Sequence, residues 1–227
     1  MTVTALEPVG LRPGSLTEIV FDKIRDAIVN KQLAPGSRVS ESMLAGMLEV
    51  SKTPVREALL RLCYIGLVEP TGRGLRVVVP DSTIVRDAYE LRSGLEASAA
   101  QSAAARADRA QREAIVASAS ASLDQARAAN QAGFAEWDMK FHQAVAAASG
   151  NKLLAKAIND SVVLAFALRS RDVPTVDDSV VCGAQHVEIA MAIKDGRAED
   201  AAQLMSTHIS KVMQFVLSFA DDDAPGA

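Results

Sequence analysis

The chain contains three histidines in 227 residues, and each lies where a helical metal site could use it. His142 follows Asp138 by four residues, and side chains four residues apart lie on one face of a helix. His186 and His208 each lie in a separate amphipathic stretch. A helical bundle could therefore bring three imidazoles and one carboxylate together around one ion. Three nitrogen ligands and one oxygen ligand suit zinc, nickel or another divalent metal.

A competing interpretation is that the three histidines are unrelated and are exposed or hydrogen-bonded separately. Spacing alone does not decide between the two, so the rest of the sequence must. The chain has two cysteines, Cys63 and Cys182, both in hydrophobic helical patterns. This placement predicts small buried side chains rather than a disulfide or a catalytic thiol.

The composition indicates packed helices rather than a β-sandwich, because 49% of residues are hydrophobic, only 4% are aromatic, and alanine is abundant. The length is sufficient for two modest domains or one large one. No stretch approaches eighteen uninterrupted apolar residues, and the first residues do not combine a basic region with an apolar core. We therefore expect a soluble, cytoplasmic protein with no membrane partner.

The net charge of −4 is unusual for a nucleic-acid-binding protein, but the charge is divided unevenly. Residues 1–80 carry 10 Lys and Arg against 8 Asp and Glu, whereas residues 81–227 carry 14 against 20. A basic N-terminal part on an acidic remainder is compatible with a DNA-binding module joined to a separate sensing or dimerising domain.

The N-terminal pattern predicts a helix-turn-helix. Residues 15–18 form a capping-box pattern, and apolar residues then recur at helical spacing to about Lys31. Ser40 is predicted to cap a short second helix. Thr53 and Pro54 are predicted to start a third helix, with Thr53 as the cap and Pro54 at the first helical position.

A predicted β-hairpin over residues 67–79 follows, and it forms a wing with Arg73 at its tip. Lys52, Thr53 and Arg56 cluster at the start of the third helix, where a recognition helix presents side chains to bases and phosphates. Arg56 suits bidentate contact with guanine, and Lys52 suits a phosphate. The alternative for each charge is a solvated helix face.

Residues 51–59, Ser-Lys-Thr-Pro-Val-Arg-Glu-Ala-Leu, resemble the SRTPVREAL signature of the GntR family of bacterial transcription regulators. Arg61-Leu62, Gly66-Leu67-Val68 and Gly74 extend the match through the wing. The second half resembles the FCD ligand-binding domain of the FadR-type branch, in its shorter, six-helix VanR-like form. The residues that carry this second resemblance are Glu90-Leu91-Arg92, Glu96, Asp138, Phe141-His142, Gly150-Asn151, His186, Ala192-Ile193 and Met205-Ser206-Thr207-His208.

The resemblance implies that Lys52, Thr53 and Arg56 contact DNA from the recognition helix, with Arg73 at the wing. The sequence departs from the family pattern at two positions. Lys52 replaces the usual arginine, which favours a phosphate contact over a base contact. Ser42 occupies a position at the start of the second helix where many relatives carry arginine. We therefore expect an operator sequence that differs from that of the best-known members of this branch.

The resemblance also implies a mainly α fold, with an N-terminal winged helix-turn-helix and a C-terminal antiparallel six-helix bundle. We expect a disordered N-terminus over 1–14, the DNA-binding domain over 15–80, the FCD-type domain over 81–220 and an acidic tail over 221–227. The bundle helices are predicted at about 81–106, 108–130, 131–149, 151–171, 178–195 and 197–219. They would place Asp138 and His142 on the third bundle helix, His186 on the fifth and His208 on the sixth, all facing the core.

Four protein ligands satisfy tetrahedral zinc, but a five- or six-coordinate zinc or nickel ion leaves a position for an effector oxygen. The resemblance implies that this effector is a small organic or sugar acid. Arg92 is a candidate second anchor for its carboxylate, and Arg169 and Arg171 are weaker ones. We predict a metabolite-responsive regulator, a homodimer on a pseudo-palindromic operator, that represses until the acid binds.

Two alternatives remain at this point. The metal could be purely structural, with the effector elsewhere or absent. A metal-dependent hydrolase is the other alternative, since histidines and a carboxylate around zinc can activate water. The sequence lacks an HExxH helix or a nucleophile motif, which argues against an enzyme.

Overall fold

The computed structural model describes residues 14–169 and 175–220. It divides the chain into two compact units, Met1–Val78 and Val79–Ala227. The predicted acidic tail and Arg171 lie outside the described residues, as do residues 1–13 of the predicted disordered N-terminus. Gly14, the last residue of that predicted segment, instead begins the first helix.

The first unit has the winged helix-turn-helix fold that the sequence predicts. Its described elements are α1 (Gly14–Val29), β1 (Arg38–Val39), α2 (Glu41–Leu48), α3 (Lys52–Tyr64), β2 (Val68–Thr71) and β3 (Gly74–Val77). The strands form an antiparallel sheet in the order β1-β3-β2, and β2 and β3 are the wing. The apolar faces of α1 and α3 form the core with Val20, Phe21, Ile24, Ile28, Val55, Leu59 and Leu62.

Polar contacts between α1 and α3 add to this core. Thr17 donates a hydrogen bond of 2.8 Å to Glu57, and Arg61 donates to Glu18 at 2.9 Å. The Arg61 guanidinium also lies 3.8 Å from the centre of the Phe21 ring. Glu57 of the signature and Arg61, which extends the match, therefore hold the recognition helix against α1.

The structure corrects three local predictions. The third helix begins at Lys52 with Ser51 at the cap, so Thr53 is not the cap and Pro54 is the third helical residue. Proline is tolerated there because the first N–H groups of a helix have no partner within it. Gly14 begins α1, so Ser15 lies inside the helix rather than at its cap. The strand β1 was missed because two residues carry no periodicity.

The second unit is a helical bundle. Its described helices are α4 (Ser82–Arg106), α5 (Arg109–Arg127), α6 (Gln131–Ala148), α7 (Lys152–Ala167), α8 (Val176–Lys194) and α9 (Ala198–Ala220). Side-chain caps begin five of them, at Asp81, Asp108, Asn130, Asn151 and Thr175. α4 packs mainly against α9, and α5 packs against α6 and α8. In the described part of the chain, no helix is both long and apolar enough to cross a membrane.

Small residues bring α5 and α8 close together. A Cβ atom added to Gly183 of α8 would lie 2.8 Å from the Leu123 Cα atom of α5. Since the clash is with backbone, it cannot be relieved by a side-chain rotation. Gly94 of α4, by contrast, has open space at the same point.

These two helical glycines make a matched prediction. Gly183→Ala is expected to lower the midpoint of thermal unfolding, because overpacking costs about 1–3 kcal/mol and exceeds the gain in helix propensity. Gly94→Ala is expected to raise the midpoint, since it gains up to about 1 kcal/mol of propensity without a clash. Circular dichroism melts of both variants test this, and equal shifts would contradict the close packing of α5 and α8.

Candidate metal centre and DNA-binding surface

The bundle brings together the four residues that the sequence singled out as ligands. Asp138 and His142 lie on α6, His186 on α8 and His208 on α9, as predicted. Their exposed fractions are 2%, 1%, 0% and 1%, so all four face the interior. The interpretation of three unrelated histidines is wrong, because the three imidazoles form one cluster.

The potential ligand atoms are separated by distances that fit a single ion. His186 Nε2 lies 3.3 Å from His208 Nε2 and 3.3 Å from Asp138 Oδ1. His142 Nε2 lies 3.7 Å from the same carboxylate oxygen. Ligands of tetrahedral zinc, with bonds of about 2.0–2.1 Å, are separated by about 3.3–3.4 Å. The arrangement therefore needs little adjustment to surround a metal.

Each imidazole is oriented by an acceptor at its other nitrogen, on a different helix. His142 Nδ1 is hydrogen-bonded to Glu96 Oε2, His186 Nδ1 lies 3.0 Å from Ser122 Oγ, and His208 Nδ1 lies 2.9 Å from Gln185 Oε1. A carboxylate and an amide oxygen can only accept, so His142 and His208 donate from Nδ1. Each of these two rings therefore turns its other nitrogen, Nε2, toward the cluster.

Ser122 fixes the third ring in the same way. Its hydroxyl donates to the Ala119 carbonyl oxygen at 2.9 Å, which leaves the oxygen to accept from His186 Nδ1. His186 Nε2 is then also without a proton. The Nε2 atoms of His186 and His208 face each other at 3.3 Å, and with these tautomers neither has a proton to donate to the other, so a cation between them would be stabilising.

Two buried atoms support a fit between the donor set and a cation. Asp138 Oδ2 and His142 Nε2 are inaccessible to solvent and have no hydrogen-bond partner. A buried polar group without a partner is costly, and metal coordination would satisfy both. The four residues present are thus chemically suited to a divalent ion with nitrogen and oxygen ligands.

Two of the imidazoles are unprotonated at neutral pH, which favours metal binding. Burial lowers the pKa of His186 to about 3 and holds the pKa of His208 well below its usual value. Burial alone would raise the pKa of Asp138, but the neighbouring His142 keeps it far below its usual range. Burial alone would lower the pKa of His142, but the charge of Glu96 and hydrogen bonding to Asp138 and Glu96 together raise it. A metal ion would therefore displace a proton from His142.

Two arginines lie beside this cluster. Arg92 is 1% exposed, and its Nε donates to Glu96 Oε1 at 2.5 Å. Both of its terminal guanidinium nitrogens are buried without a hydrogen-bond partner. Arg169 Nη2 lies 3.8 Å from Asp138 Oδ2, and its Nε donates to the Tyr89 hydroxyl at 3.4 Å. The structure thus places Arg92 and Arg169, both singled out from the sequence, beside the candidate metal ligands.

Several residues of the site carried little signal or none. Glu96 was noted without a role, and Ser122 and Gln185 had no spacing that pointed to the histidines. Cys182 had such a signal, because it precedes His186 by four residues, as Asp138 precedes His142. It is half-buried rather than enclosed, and it lies with Asp138 and His186 in a second cluster of potential ligands.

The predicted DNA-contacting residues are exposed in the first unit. Ser42 lies on α2, Lys52 and Thr53 lie in the first turn of α3, and Arg73 lies at the tip of the wing. Arg56 is also exposed, but it forms a two-bond ion pair with Glu41 at 2.8 and 3.1 Å. Arg56 is therefore oriented by α2 and would have to exchange Glu41 for a base.

A basic cleft next to the wing was missed. It is lined by Gly36, Arg38, Thr71, Gly72, Arg73 and Arg76. Arg38 and Arg76 are directly opposite each other in the β1–β3 register. Since β1 has no sequence signal, nothing in the sequence placed Arg38 next to the wing. Arg38 and Arg73, together with Arg76, which is paired with Glu69 at 2.7 Å, make a surface suited to phosphates.

Comparison with known proteins identifies both units. Residues 16–77 match the family model described as bacterial regulatory proteins, gntR family, and residues 87–211 match the FCD domain. The chain is 34% identical over 230 residues to the Uxu operon transcriptional regulator of Escherichia coli, covering 88% of this chain and 86% of that one. It is 30% identical to a Paenarthrobacter nicotinovorans protein named "Probable D-xylose utilization operon transcriptional repressor", covering 84% and 86%.

A solved structure agrees with the fold. The structure of Escherichia coli McbR/YncC has a TM-score of 0.77 and 18% sequence identity, covering 90% of this chain and 98% of that one. The family and its relatives are regulators, which removes the hydrolase alternative. The winged first unit, the helical second unit and both matches lead to one identification: the chain belongs to the gntR family of bacterial regulatory proteins and is a transcriptional regulator with an FCD domain.

Proposed function

We propose that this regulator senses a small organic or sugar acid through a divalent metal ion held by Asp138, His142, His186 and His208. The observation that carries the proposal is the set of three imidazoles with their Nε2 atoms turned toward a buried carboxylate, next to an arginine with unused donors. When bound, the ion supplies a Lewis acid that a carboxylate oxygen can coordinate. Zinc fits the donor set, and nickel is the main alternative.

The charges of the site favour an anionic ligand. The carboxylates of Glu96 and Asp138 are matched by the guanidinium groups of Arg92 and Arg169. With neutral imidazoles, a divalent ion would leave two positive charges in a buried site. Burial of uncompensated charge is expensive, so an organic anion that enters the site is stabilised by neutralising it.

Arg92 is the proposed second anchor for the effector. Its Nε is already held by Glu96, which fixes the plane of the guanidinium group. The two terminal nitrogens are left free to donate in parallel to one carboxylate. Arg169 is a secondary candidate, because its contacts to Tyr89 and Asp138 are long.

For DNA, we propose that Lys52, Thr53 and Arg56 contact the operator from α3, with Ser42 on α2 and Arg73 on the wing. Their exposure at the start of the recognition helix and on the hairpin supports this role. A homodimer would place two such surfaces on a pseudo-palindromic operator in the cytoplasm. We favour repression that ends when the acid binds over activation, and the name of one relative, which includes the word repressor, supports this choice. Release requires that the acid bind one arrangement of the bundle more tightly than another.

Metal dependence of acid binding is the main test. Zinc-loaded and chelator-stripped protein should be melted with a panel of organic and sugar acids. An acid at 100 times its dissociation constant adds about 2.7 kcal/mol, which raises the midpoint by roughly 5–10 °C. We expect this shift only in the zinc-loaded protein and not in His186→Ala. Stabilisation by metal but by no acid would favour a structural ion, and an acid shift without metal would contradict the proposed site.

Arg92→Lys tests the second anchor. Lysine keeps the positive charge beside Glu96 but cannot donate two parallel hydrogen bonds to a carboxylate. We expect zinc affinity to be retained and affinity for the acid to fall by about tenfold or more, since hydrogen bonds to charged groups contribute about 1.5–3 kcal/mol. Isothermal titration measures both affinities. Arg86→Lys, an exposed position on the same helix, is the control, and equal acid affinity in the two variants would rule out Arg92 as an anchor.

Two substitutions in α3 separate positioning from base recognition. Lys52→Ala is expected to weaken binding similarly for all DNA sequences. It should also reduce the slope of log affinity against log salt concentration by about one for each recognition helix on the DNA. Arg56→Ala is expected to cost about 1–3 kcal/mol at the operator and to relax the choice of base there. Fluorescence anisotropy on operator and scrambled DNA at several salt concentrations measures both, with exposed Lys23→Ala on α1 as the control. The assignment is wrong if Arg56→Ala lowers affinity equally for both DNAs.

A further inference from the structure

We propose that Cys182 is a fifth protein ligand of the metal ion and binds it as a thiolate. This inference rests on the proposed metal centre and adds a ligand to it. Cys182 lies on α8, four residues before His186, so both side chains lie on one face of that helix. Its Sγ atom is 3.8 Å from His186 Nε2 and 3.9 Å from Asp138 Oδ1.

These separations are compatible with a shared ion. With a zinc–sulfur bond of about 2.3 Å and a zinc–nitrogen bond of about 2.0–2.1 Å, the two ligand atoms are about 3.1 Å apart at a right angle. They are about 3.8 Å apart at 120°, an angle found in five-coordinate sites. The distance from Sγ to His186 Nε2 is therefore that of two ligands of one metal. The same separations also lie within the range of weak hydrogen bonds from a thiol, so the distinction between the two arrangements is made by experiment.

The bundle presents its donors as two equivalent pairs. α6 contributes Asp138 and His142, and α8 contributes Cys182 and His186, each pair four residues apart. The unpartnered, buried Asp138 Oδ2 and His142 Nε2 independently indicate that this interior accommodates a ligand. Cys182 faces that interior next to Asp138 and His186, so its thiol is within reach of whatever occupies it.

The chemistry of the step is simple. The metal–sulfur bond forms as the S–H bond breaks, and the proton passes to solvent or buffer. No oxidant or reductant is needed. The thiolate adds a negative charge, so a divalent ion with Cys182 and neutral imidazoles would leave one excess positive charge rather than two. A single carboxylate group on the effector would then complete neutralisation. A soft sulfur ligand also favours zinc over magnesium or manganese.

Cobalt(II) in place of zinc gives a direct readout. The full-length protein loaded with cobalt should show a near-ultraviolet thiolate-to-cobalt charge-transfer band together with the visible bands of bound cobalt. Cys182→Ser should lose the ultraviolet band and keep the visible ones. Cys63→Ser changes the other cysteine of the chain, which lies in the first unit, and should keep the ultraviolet and the visible bands. Bound cobalt without the ultraviolet band in the wild-type protein would overturn the inference but leave the four-residue metal site intact.

Proton release and affinity give a second measurement. Zinc titrations at pH 7 in buffers of different ionisation enthalpy should release about one proton more from the wild-type protein than from Cys182→Ser, because a free thiol has a pKa of about 8.5. Zinc affinity should fall by at least the ~10-fold that loss of an outer-shell partner causes. Equal proton release and equal affinity would contradict sulfur coordination. Failure of the wild-type protein to bind either metal would overturn the metal centre itself and this inference with it.

Discussion

The second unit depends on the juxtaposition of a buried carboxylate and three imidazole nitrogens in the middle of its bundle. Such an arrangement is unfavourable without a cation, since Asp138 and His142 each leave a buried atom without a partner. The bundle nevertheless holds it through outer contacts from α4, α5 and α8. Among the six described bundle helices, five contribute either a candidate ligand or the residue that orients one, so an ion at this point would link most of the described bundle.

Glu96 connects the proposed metal and effector roles. One of its oxygens is hydrogen-bonded to His142 and the other accepts from Arg92, so a single carboxylate orients a candidate ligand and a candidate anchor. Burial alone would raise the pKa of Glu96, but the charges of Arg92 and His142 hold it below its usual value. It therefore remains ionised and keeps both partners in place. A ligand that moves the Arg92 guanidinium group would also move Glu96, and through Glu96 it would change the position of His142.

Much of this arrangement could be predicted from the sequence. The four-residue spacing of Asp138 and His142 predicted a shared helix face, whereas the convergence of His186 and His208 on it was implied by the resemblance to the FCD domain and not by spacing. Nothing comparable marked Ser122 or Gln185, because a partner on a different helix depends on tertiary packing, which leaves no period in the sequence. The same limit applies to Arg38, which meets Arg76 through a strand of only two residues. It also applies to Arg56, whose pairing with Glu41 required the angle between α2 and α3.

The packing of α8 shows why a buried site of this kind needs small residues around it. Gly183 lets α8 approach the backbone of Leu123, and this contact is adjacent in sequence to Cys182. One turn further along α8, His186 meets Ser122, the residue that precedes Leu123 on α5. The close approach of α5 and α8 and the hydrogen bond that orients His186 therefore involve the same short segment of each helix. A larger residue at Gly183 would separate His186 from Ser122 and Cys182 from Asp138 together, so packing and ligand geometry at this point are a single constraint.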